Sequence, residues 1–514
     1  MTSLSAATKI TAARFLRQEA NRCLLCYQAA CSQACPKGQD PGRACLQLRF
    51  GSPLTAAPYL AAEACLNCSA PCLAACPVQP AVNLPELAIR LQHSGQLAAR
   101  AIQPEQLKAA DLSVRIPRLG LQAANPFLLS SSVVASGYDM CARALKQGWA
   151  GLVYKTSGFV RSPEVSPRFD ALMNESGHFE GFRNLEQISE HSPEEDFAAL
   201  RQLKDVFPDK LIIASVMGQT EAEWTKLCAM AEASGCDLIE LNFSCPHMSA
   251  HGLGSDVGED PKLVAAFTQA ARRGTSLPLM AKMTPNLGHI AIPARAAVQG
   301  GADALAAINT VKSLSGFNWT SILSDQLTAR PSIAGSSAVS GYSGRGVKPL
   351  ALRFIYDLAT DPQLQGIPLS ATGGIETWQD ALDFILLGSG LLQITTAVMQ
   401  YGYRIIEGLT AGLAALVLQQ QTTVQELLGQ GLPLIKAPDQ LDRTSTVYPA
   451  FHREHCVGCG RCYLSCADGG HQALSFGPDR QPRLDAKRCV GCGLCALVCP
   501  SGAIQSSRRV PRRN

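Results

Sequence analysis

Cysteine spacing states the first chemistry of this chain, which holds 21 cysteines in 514 residues. Near its end, Cys456, Cys459, Cys462 and Cys466 form a C-x2-C-x2-C-x3-C run, and Cys489, Cys492, Cys495 and Cys499 repeat it. Such a loop aims three thiolates at one cubane iron–sulfur cluster while the fourth reaches the neighbouring one. We therefore assign Cys456, Cys459, Cys462 and Cys499 to one [4Fe–4S] centre, and Cys489, Cys492, Cys495 and Cys466 to another. Zinc sites use C-x2-C knuckles set across a longer gap, so zinc is disfavoured here.

A different pair of quartets lies near the start: Cys23, Cys26, Cys31 and Cys35, then Cys65, Cys68, Cys72 and Cys76, repeating at a separation of 41 to 42 residues. Each is followed by a helical stretch, Pro41 to Arg49 and Leu84 to Leu91, which suggests one supersecondary unit used twice. Eight thiolates suit two [4Fe–4S] clusters, and zinc is the other reading. Spacing does not say which four share a site, because the loops are longer. Cys45 stands outside both quartets and reads as a small buried hydrophobe.

Between these ends, Glu240-Leu-Asn242-Phe-Ser244-Cys245-Pro246-His247 sets a thiol just beyond a β-rich run. Taken alone, Cys245 reads as a buried thiol. Beside Asn242 and Ser244, and near phosphate-type loops, it reads as a general acid able to protonate a carbon. His247 has no evident partner and is read as structural.

The elements that must position these groups are legible from about residue 106 to 445. Short apolar runs recur at Phe127–Leu129, Gly151–Lys155, Leu211–Val216, Asp237–Asn242, Leu277–Lys282, Ala304–Asn309, Ile367–Ala371 and Leu391–Thr395, with helical stretches between them. Eight such runs predict a closed parallel (β/α)8 barrel. Polar residues gather where the runs end: Lys155 and Thr156, Asn242, Lys282, Asn309 and Thr310, Thr372 with Gly373 and Gly374, Thr395 and Thr396. In a barrel these ends converge on one face. The loops after strands seven and eight commonly bind phosphate, and Thr372–Gly374 and Thr395–Thr396 fall there. The nearest match to a dinucleotide fingerprint, Gly252 to Gly258, has the wrong spacing. A mononucleotide, FMN, is therefore expected.

The implied plan is an α/β protein in three parts: a helical iron–sulfur module over 1–105, an FMN-binding (β/α)8 TIM barrel over 106–445, and a ferredoxin-like α+β domain over 446–514. Hydrophobic residues make up 46% and charged ones 17%, enough to build a large core, and the net charge is only +4. The basic tail, Arg508 to Arg513, has no interleaved aromatics and does not read as a nucleic-acid grip. Met1 to Cys23 holds no apolar signal segment. Ile405 to Leu418 contains Glu407 and is too short to span a bilayer, so it reads as a buried helix. A cytoplasmic location follows, where thiols stay reduced and metal binding or catalysis explains their number.

At these motifs the chain resembles the dihydropyrimidine dehydrogenase family. Residues 106 to 514 are similar to its bacterial catalytic subunit, with a barrel of the dihydroorotate dehydrogenase type, through Asn242-Phe-Ser-Cys-Pro-His247, Ala281-Lys-Met-Thr-Pro-Asn286, Ile308-Asn-Thr-Val311, Ser340-Gly-Tyr-Ser-Gly344, Ala371-Thr-Gly-Gly-Ile375 and the ferredoxin-like end. The resemblance implies that Cys245 gives a proton to C5 of a pyrimidine while reduced FMN gives hydride to C6. It implies that Asn184, Glu186, Ile188, Asn242, Ser244, Asn309 and Thr310 contact the pyrimidine, and that Lys282 sits at the flavin N1–O2 edge. Ser131, Lys155, Thr156, Gly344, Thr372, Gly373, Gly374, Thr395 and Thr396 would hold FMN. Arg22-Cys-Leu-Leu-Cys26 and Cys31-Ser-Gln-Ala-Cys-Pro36 resemble the start of the family's electron-input subunit, and the second quartet departs from it. An FAD- and NAD(P)H-binding flavoprotein partner, in a hetero-oligomer, is implied. Two rival readings stand beside this: dihydroorotate oxidation, and a non-enzymatic electron carrier with a degenerate barrel. The first would need a clamp for a carboxylate, whereas the placed polar set is neutral apart from Glu186, whose charge would repel one.

Overall fold

A computed structural model describes residues 15–93, 101–160, 163–173, 179–245, 255–314 and 338–512. His247, the Gly252–Gly254 part of the near-fingerprint and the first 14 residues lie outside these. The chain divides into two compact units, Met1–Leu432 and Pro433–Asn514.

The first unit is built on eight parallel strands: β1 (Phe127–Leu129), β2 (Gly151–Val153), β3 (Leu211–Val216), β4 (Leu238–Asn242), β5 (Leu279–Lys282), β6 (Ala304–Ala307), β7 (Leu369–Thr372) and β8 (Ser389–Ile394). They close in chain order, with β8 pairing β1 through Leu392 and Phe127. Every expected run is a strand. Their residues are buried on both faces, as in Leu211–Val216, which is why they read as unbroken apolar runs rather than alternating ones. Several strands stop short of the expected end. Lys155, Thr156, Asn309 and Thr310 have already left the sheet, which frees their side chains for the barrel mouth.

Helices cover the barrel with their apolar stripes. In Pro193–Val206, Ser192 and Glu195 form a capping box, and Phe197, Leu200 and Leu203 are buried. An antiparallel sheet unforeseen from sequence is inserted between barrel elements, in the order Val311–Ser313, Ser340–Ser343, Phe179–Asn184, Phe169–Met173. Its hydrogen bonding carries Asn184 and the approach to Gly344. The pattern was hidden because the strands are short and far apart in sequence.

The N-terminal helices pack within this same unit. Asp40 caps Pro41–Phe50 by accepting the Arg43 N–H at 3.0 Å. Phe50 is fully buried beside the Tyr401 ring, with centroids 5.1 Å apart. Burying such a ring contributes about 1.5–3 kcal/mol. Trp378 donates its indole N–H to the Gly51 carbonyl at 2.7 Å. Ile405–Gln420 is a helix whose residues are mostly buried. Among the described residues, no helix is long and apolar enough to cross a membrane.

The second unit pairs Pro449–Phe451 with Ile504–Ser506 and Leu474–Phe476 with Pro482–Leu484, around the helix Arg461–Gly469 and the short helix Leu494–Leu497. Its buried apolar core holds Cys462, Leu474 and Ile504. So small a core needs reinforcement from bound metal.

Candidate active site

A cavity opens at the carboxyl ends of the barrel strands. Its wall includes Ser131, Lys155, Thr156, Asn184, Glu186, Ile188, Asn242, Cys245, Lys282, Asn309, Thr310, Gly344, Thr372, Gly373, Gly374, Thr395 and Thr396. One expected residue is corrected: Ser244 does not line the cavity. It is fully buried behind Asn242, donating its hydroxyl to Asn242 Oδ1 at 2.8 Å and accepting from Asn309 Nδ2 at 3.0 Å. The chain has left the strand at Asn242, and the Ser244 N–H and hydroxyl both turn back to Asn242 Oδ1.

These bonds belong to a longer row. Asn242 Nδ2 donates to Thr156 Oγ1 at 2.9 Å, and Thr156 shares a hydrogen bond with Ser215 at 2.9 Å. At the other end the Thr310 N–H donates to Asn309 Oδ1 at 2.7 Å. Side chains from the ends of β2, β3, β4 and β6 are thus locked to one another, so the amide faces turned into the cavity are preorganised. Thr310 Oγ1 and Gln187 Oε1 are buried with no hydrogen-bond partner among the described residues, and both residues line the cavity. Unpaired buried polar atoms are costly and suit a ligand that satisfies them.

The floor of the cavity carries a charge pair. Lys282 Nζ lies 3.6 Å from Glu240 Oε1, and Ser131 joins both, donating to Glu240 at 2.9 Å and accepting from Lys282 at 3.1 Å. Gln393 donates to the other Glu240 oxygen at 2.9 Å. Glu240 is fully buried, so this network supplies the partners its charge needs. Glu240 and Gln393 were overlooked as site residues. Their signal was present: each lies two positions before an expected one, Asn242 and Thr395, on the inward face of its strand.

Glu186 corrects the charge reading. Its carboxylate is held by Lys155 on one side and by Arg168 Nε at 2.7 Å on the other. The expected unmatched negative charge is therefore doubly matched, and the electrostatic objection to a substrate carboxylate falls. Arg168 immediately precedes the strand Phe169–Met173 of the inserted sheet, which gave no sequence signal. Nearby, burial pushes the Glu164 carboxyl above its ordinary range.

At the other end of the cavity, Gly373 and Gly374 follow β7 with φ of +121° and +78°. A Cβ on Gly374 would fall 2.7 Å from Lys348 Cβ. Only glycine fits both the conformation and the space. Thr395 bonds Ser132 at 3.1 Å, and Thr396 donates to Ser343 Oγ at 3.0 Å. Close backbone, hydroxyls and the nearby Arg345 make a donor set suited to a phosphate, and the buried lysine suits an electron-accepting ring. The residues present fit FMN.

In the second unit, Cys456, Cys459, Cys462 and Cys499 line one cavity, and Cys466, Cys489, Cys492 and Cys495 line another. The structure brings each set of four together with its ligands exchanged between the two runs.

Comparison with known proteins agrees with this geometry. The profile described as Dihydroorotate dehydrogenase matches residues 114–417, and that of a 4Fe-4S dicluster domain matches residues 450–506. The chain is 50% identical over 367 residues to the NAD-dependent dihydropyrimidine dehydrogenase subunit PreA of Escherichia coli (strain K12), covering 71% of this chain and 88% of that one. It is 34% identical to the chloroplastic dihydropyrimidine dehydrogenase (NADP(+)) of Arabidopsis thaliana, over 63% of this chain and 77% of that one. It is also 34% identical to the dihydroorotate dehydrogenase B (NAD(+)) catalytic subunit of Pyrococcus horikoshii, over 62% and 98%. The crystal structure of Eimeria tenella DHODH in complex with ferulenol shares the fold, with a TM-score of 0.50 at 17% identity, covering 62% of this chain and 88% of that one. By its barrel, its cavity and these matches, the chain belongs to the FMN-binding dihydroorotate dehydrogenase family, with a [4Fe–4S] dicluster domain following the barrel.

Proposed function

We propose that this chain is the catalytic subunit of a dihydropyrimidine dehydrogenase, interconverting uracil or thymine with its 5,6-dihydro form in cytoplasmic pyrimidine catabolism. The observation that carries the reading is the Cys245 thiol on one cavity wall with the amides of Asn184, Asn242 and Asn309. When bound, FMN supplies two-electron exchange with the pyrimidine C5–C6 bond and one-electron exchange with iron–sulfur clusters. The chain's own residues do the rest. Asparagine amides offer donors and acceptors together, which matches the alternating N–H and C=O groups of an imide ring. Asn184, Glu186, Ile188, Asn242, Asn309 and Thr310 hold that ring, and Ser244 fixes the amides of Asn242 and Asn309. Cys245 delivers the proton to C5 in reduction and removes it in oxidation. Lys282 places a positive charge where negative charge gathers on the reduced cofactor. Ser131, Lys155, Thr156, Gly344, Thr372, Gly373, Gly374, Thr395 and Thr396 hold the rest of it. The eight C-terminal cysteines would hold two [4Fe–4S] clusters that would supply one-electron transfer, and a partner subunit binding FAD and NAD(P)H would complete a hetero-oligomer.

Dihydroorotate oxidation is the second reading, favoured by the matched charge on Glu186. One experiment separates the two. Anaerobically purified protein is mixed with dihydrouracil or with dihydroorotate while the flavin absorbance is followed. Bleaching by dihydrouracil supports the proposal. Bleaching by dihydroorotate alone overturns it, and no response to either leaves an electron carrier.

A further inference from the structure

Three consecutive residues, Arg49, Phe50 and Gly51, at the end of the helix Pro41–Phe50, grip the two barrel helices that follow the phosphate-type loops. Arg49 donates to the Tyr401 hydroxyl at 2.5 Å, and its guanidinium lies over the Tyr401 ring, 4.5 Å from the centroid. Tyr401 ends the helix Thr396–Tyr401, whose first residue stands at the phosphate end of the cavity after β8. Phe50 packs against the same ring. The Gly51 carbonyl accepts from the indole of Trp378, which opens the helix Trp378–Leu386 after β7. All three gripping residues precede residue 114, where the matched barrel profile starts.

The packing at this contact is close. A Cβ on Gly408 would fall 2.6 Å from Phe50 Cβ, and one on Gly412 would fall 2.2 Å from the Trp378 ring. Both glycines belong to the buried helix Ile405–Gln420. Interiors packed to this density move between discrete arrangements and do not yield gradually, so a shift on one side is felt on the other. Arg49 also lies 4.0 Å from Glu376 Oε1, with both side chains mostly buried. Glu376 ends the run Gly373-Gly374-Ile375-Glu376, all of which lines the flavin cavity. Tyr401 sits beside both charges, and burial together with the Glu376 carboxylate keeps its phenol protonated. One guanidinium thus reaches the loop after β7 and the helix after β8, while it donates to the Cys23 carbonyl of its own module at 3.3 Å.

We propose that Arg49 is a positioning residue of the FMN site, through which cofactor binding and the docking of the N-terminal module reinforce each other. Its side chain holds Tyr401 and Glu376 in place. These in turn fix the helix that begins at Thr396 and the loop that carries Gly373 and Gly374. Arg49 does not itself line the cavity, so its effect passes through those two residues. Coupling of this kind is reciprocal: if the docked module tightens FMN, bound FMN tightens the module by the same factor. Arg43 on the same helix supplies the contrast. It pairs with Glu407 at 3.0 Å where both side chains are exposed, and such a pair contributes little.

The test uses full-length protein, stripped of FMN and titrated with it anaerobically while flavin fluorescence gives the dissociation constant. Arg49→Met keeps the stem and loses the guanidinium. It should weaken FMN binding about tenfold, within the usual range of coupling between sites. Tyr401→Phe should weaken it in the same direction, and the double variant should bind no worse than Arg49→Met alone, because the two side chains act in series. Arg43→Met should bind FMN as the parent does. Limited proteolysis reads the reciprocal effect: FMN should slow cleavage within residues 15–93 of the parent, and Arg49→Met should lose that protection. Parent-like FMN binding by Arg49→Met overturns the proposal. So does an equal loss in Arg43→Met, an additive loss in the double variant, or equal protection of the module by FMN in the parent and in Arg49→Met. Should Arg49→Met fail to fold, as judged by circular dichroism, Tyr401→Phe decides both assays by the same criteria. No pyrimidine enters these measurements, so they do not depend on the substrate assigned to the barrel.

Discussion

Glu240 and Lys282 approach to 3.6 Å inside the barrel, one fully buried and the other nearly so, on the adjacent strands β4 and β5. Removing one member of such a pair leaves the other charge uncompensated. Glu240→Leu should therefore destabilise the protein by about 3–5 kcal/mol in denaturant titration. Glu240→Gln keeps the size and one oxygen acceptor for Ser131, loses the charge, and gives up the acceptor that Gln393 Nε2 uses. It should raise the flavin midpoint potential in a spectroelectrochemical titration, because Lys282 then faces the reduced cofactor without a competing anion. An unchanged potential would show that the pair does not act on the flavin.

Cys245 is assigned the proton at C5, so Cys245→Ser should bind FMN as the parent does. Anaerobic bleaching by dihydrouracil should slow by about 10²–10⁴-fold, the usual contribution of a positioned acid–base group. Stopped-flow absorbance measures this. A parent-like rate would end the assignment.

Gly374 has φ of +78° and no room for a Cβ beside Lys348. Gly374→Ala should lower the ratio of FMN to protein in the purified sample while circular dichroism stays parent-like. Full FMN occupancy would show that this loop does not form the phosphate end.

Arg49 sets a positive charge against the Cys23 loop by donating to the Cys23 carbonyl at 3.3 Å. Given a cluster there, Arg49→Leu should lower its potential by a few tens of millivolts, equivalent to about 1 kcal/mol for one electron, because reduction adds negative charge. The C-terminal clusters serve as internal reference in the same redox titration.

The Pro433–Asn514 unit has few buried apolar side chains. Oxidative removal of iron with a chelator should expose this segment to limited proteolysis while the barrel keeps its FMN. Equal resistance before and after iron removal would mean that packing alone holds the unit.

The sequence by itself determined the eight barrel strands, because residues buried on both faces must be apolar and the intervening helices must repeat. It also determined the C-terminal cluster runs, whose ligands lie so close along the chain that spacing fixes their geometry. Tertiary structure alone decided three things. It matched Glu186 to Arg168, through a sheet whose strands are too short and scattered to show a pattern. It drew Glu240 into the floor of the site, since an inward-facing carboxylate betrays its role only when Lys282 is seen beside it. It grouped Cys76 with Cys23, Cys26 and Cys31, and Cys35 with Cys65, Cys68 and Cys72, because loops of that length leave the pairing open until helices pack and bring distant thiols around one space.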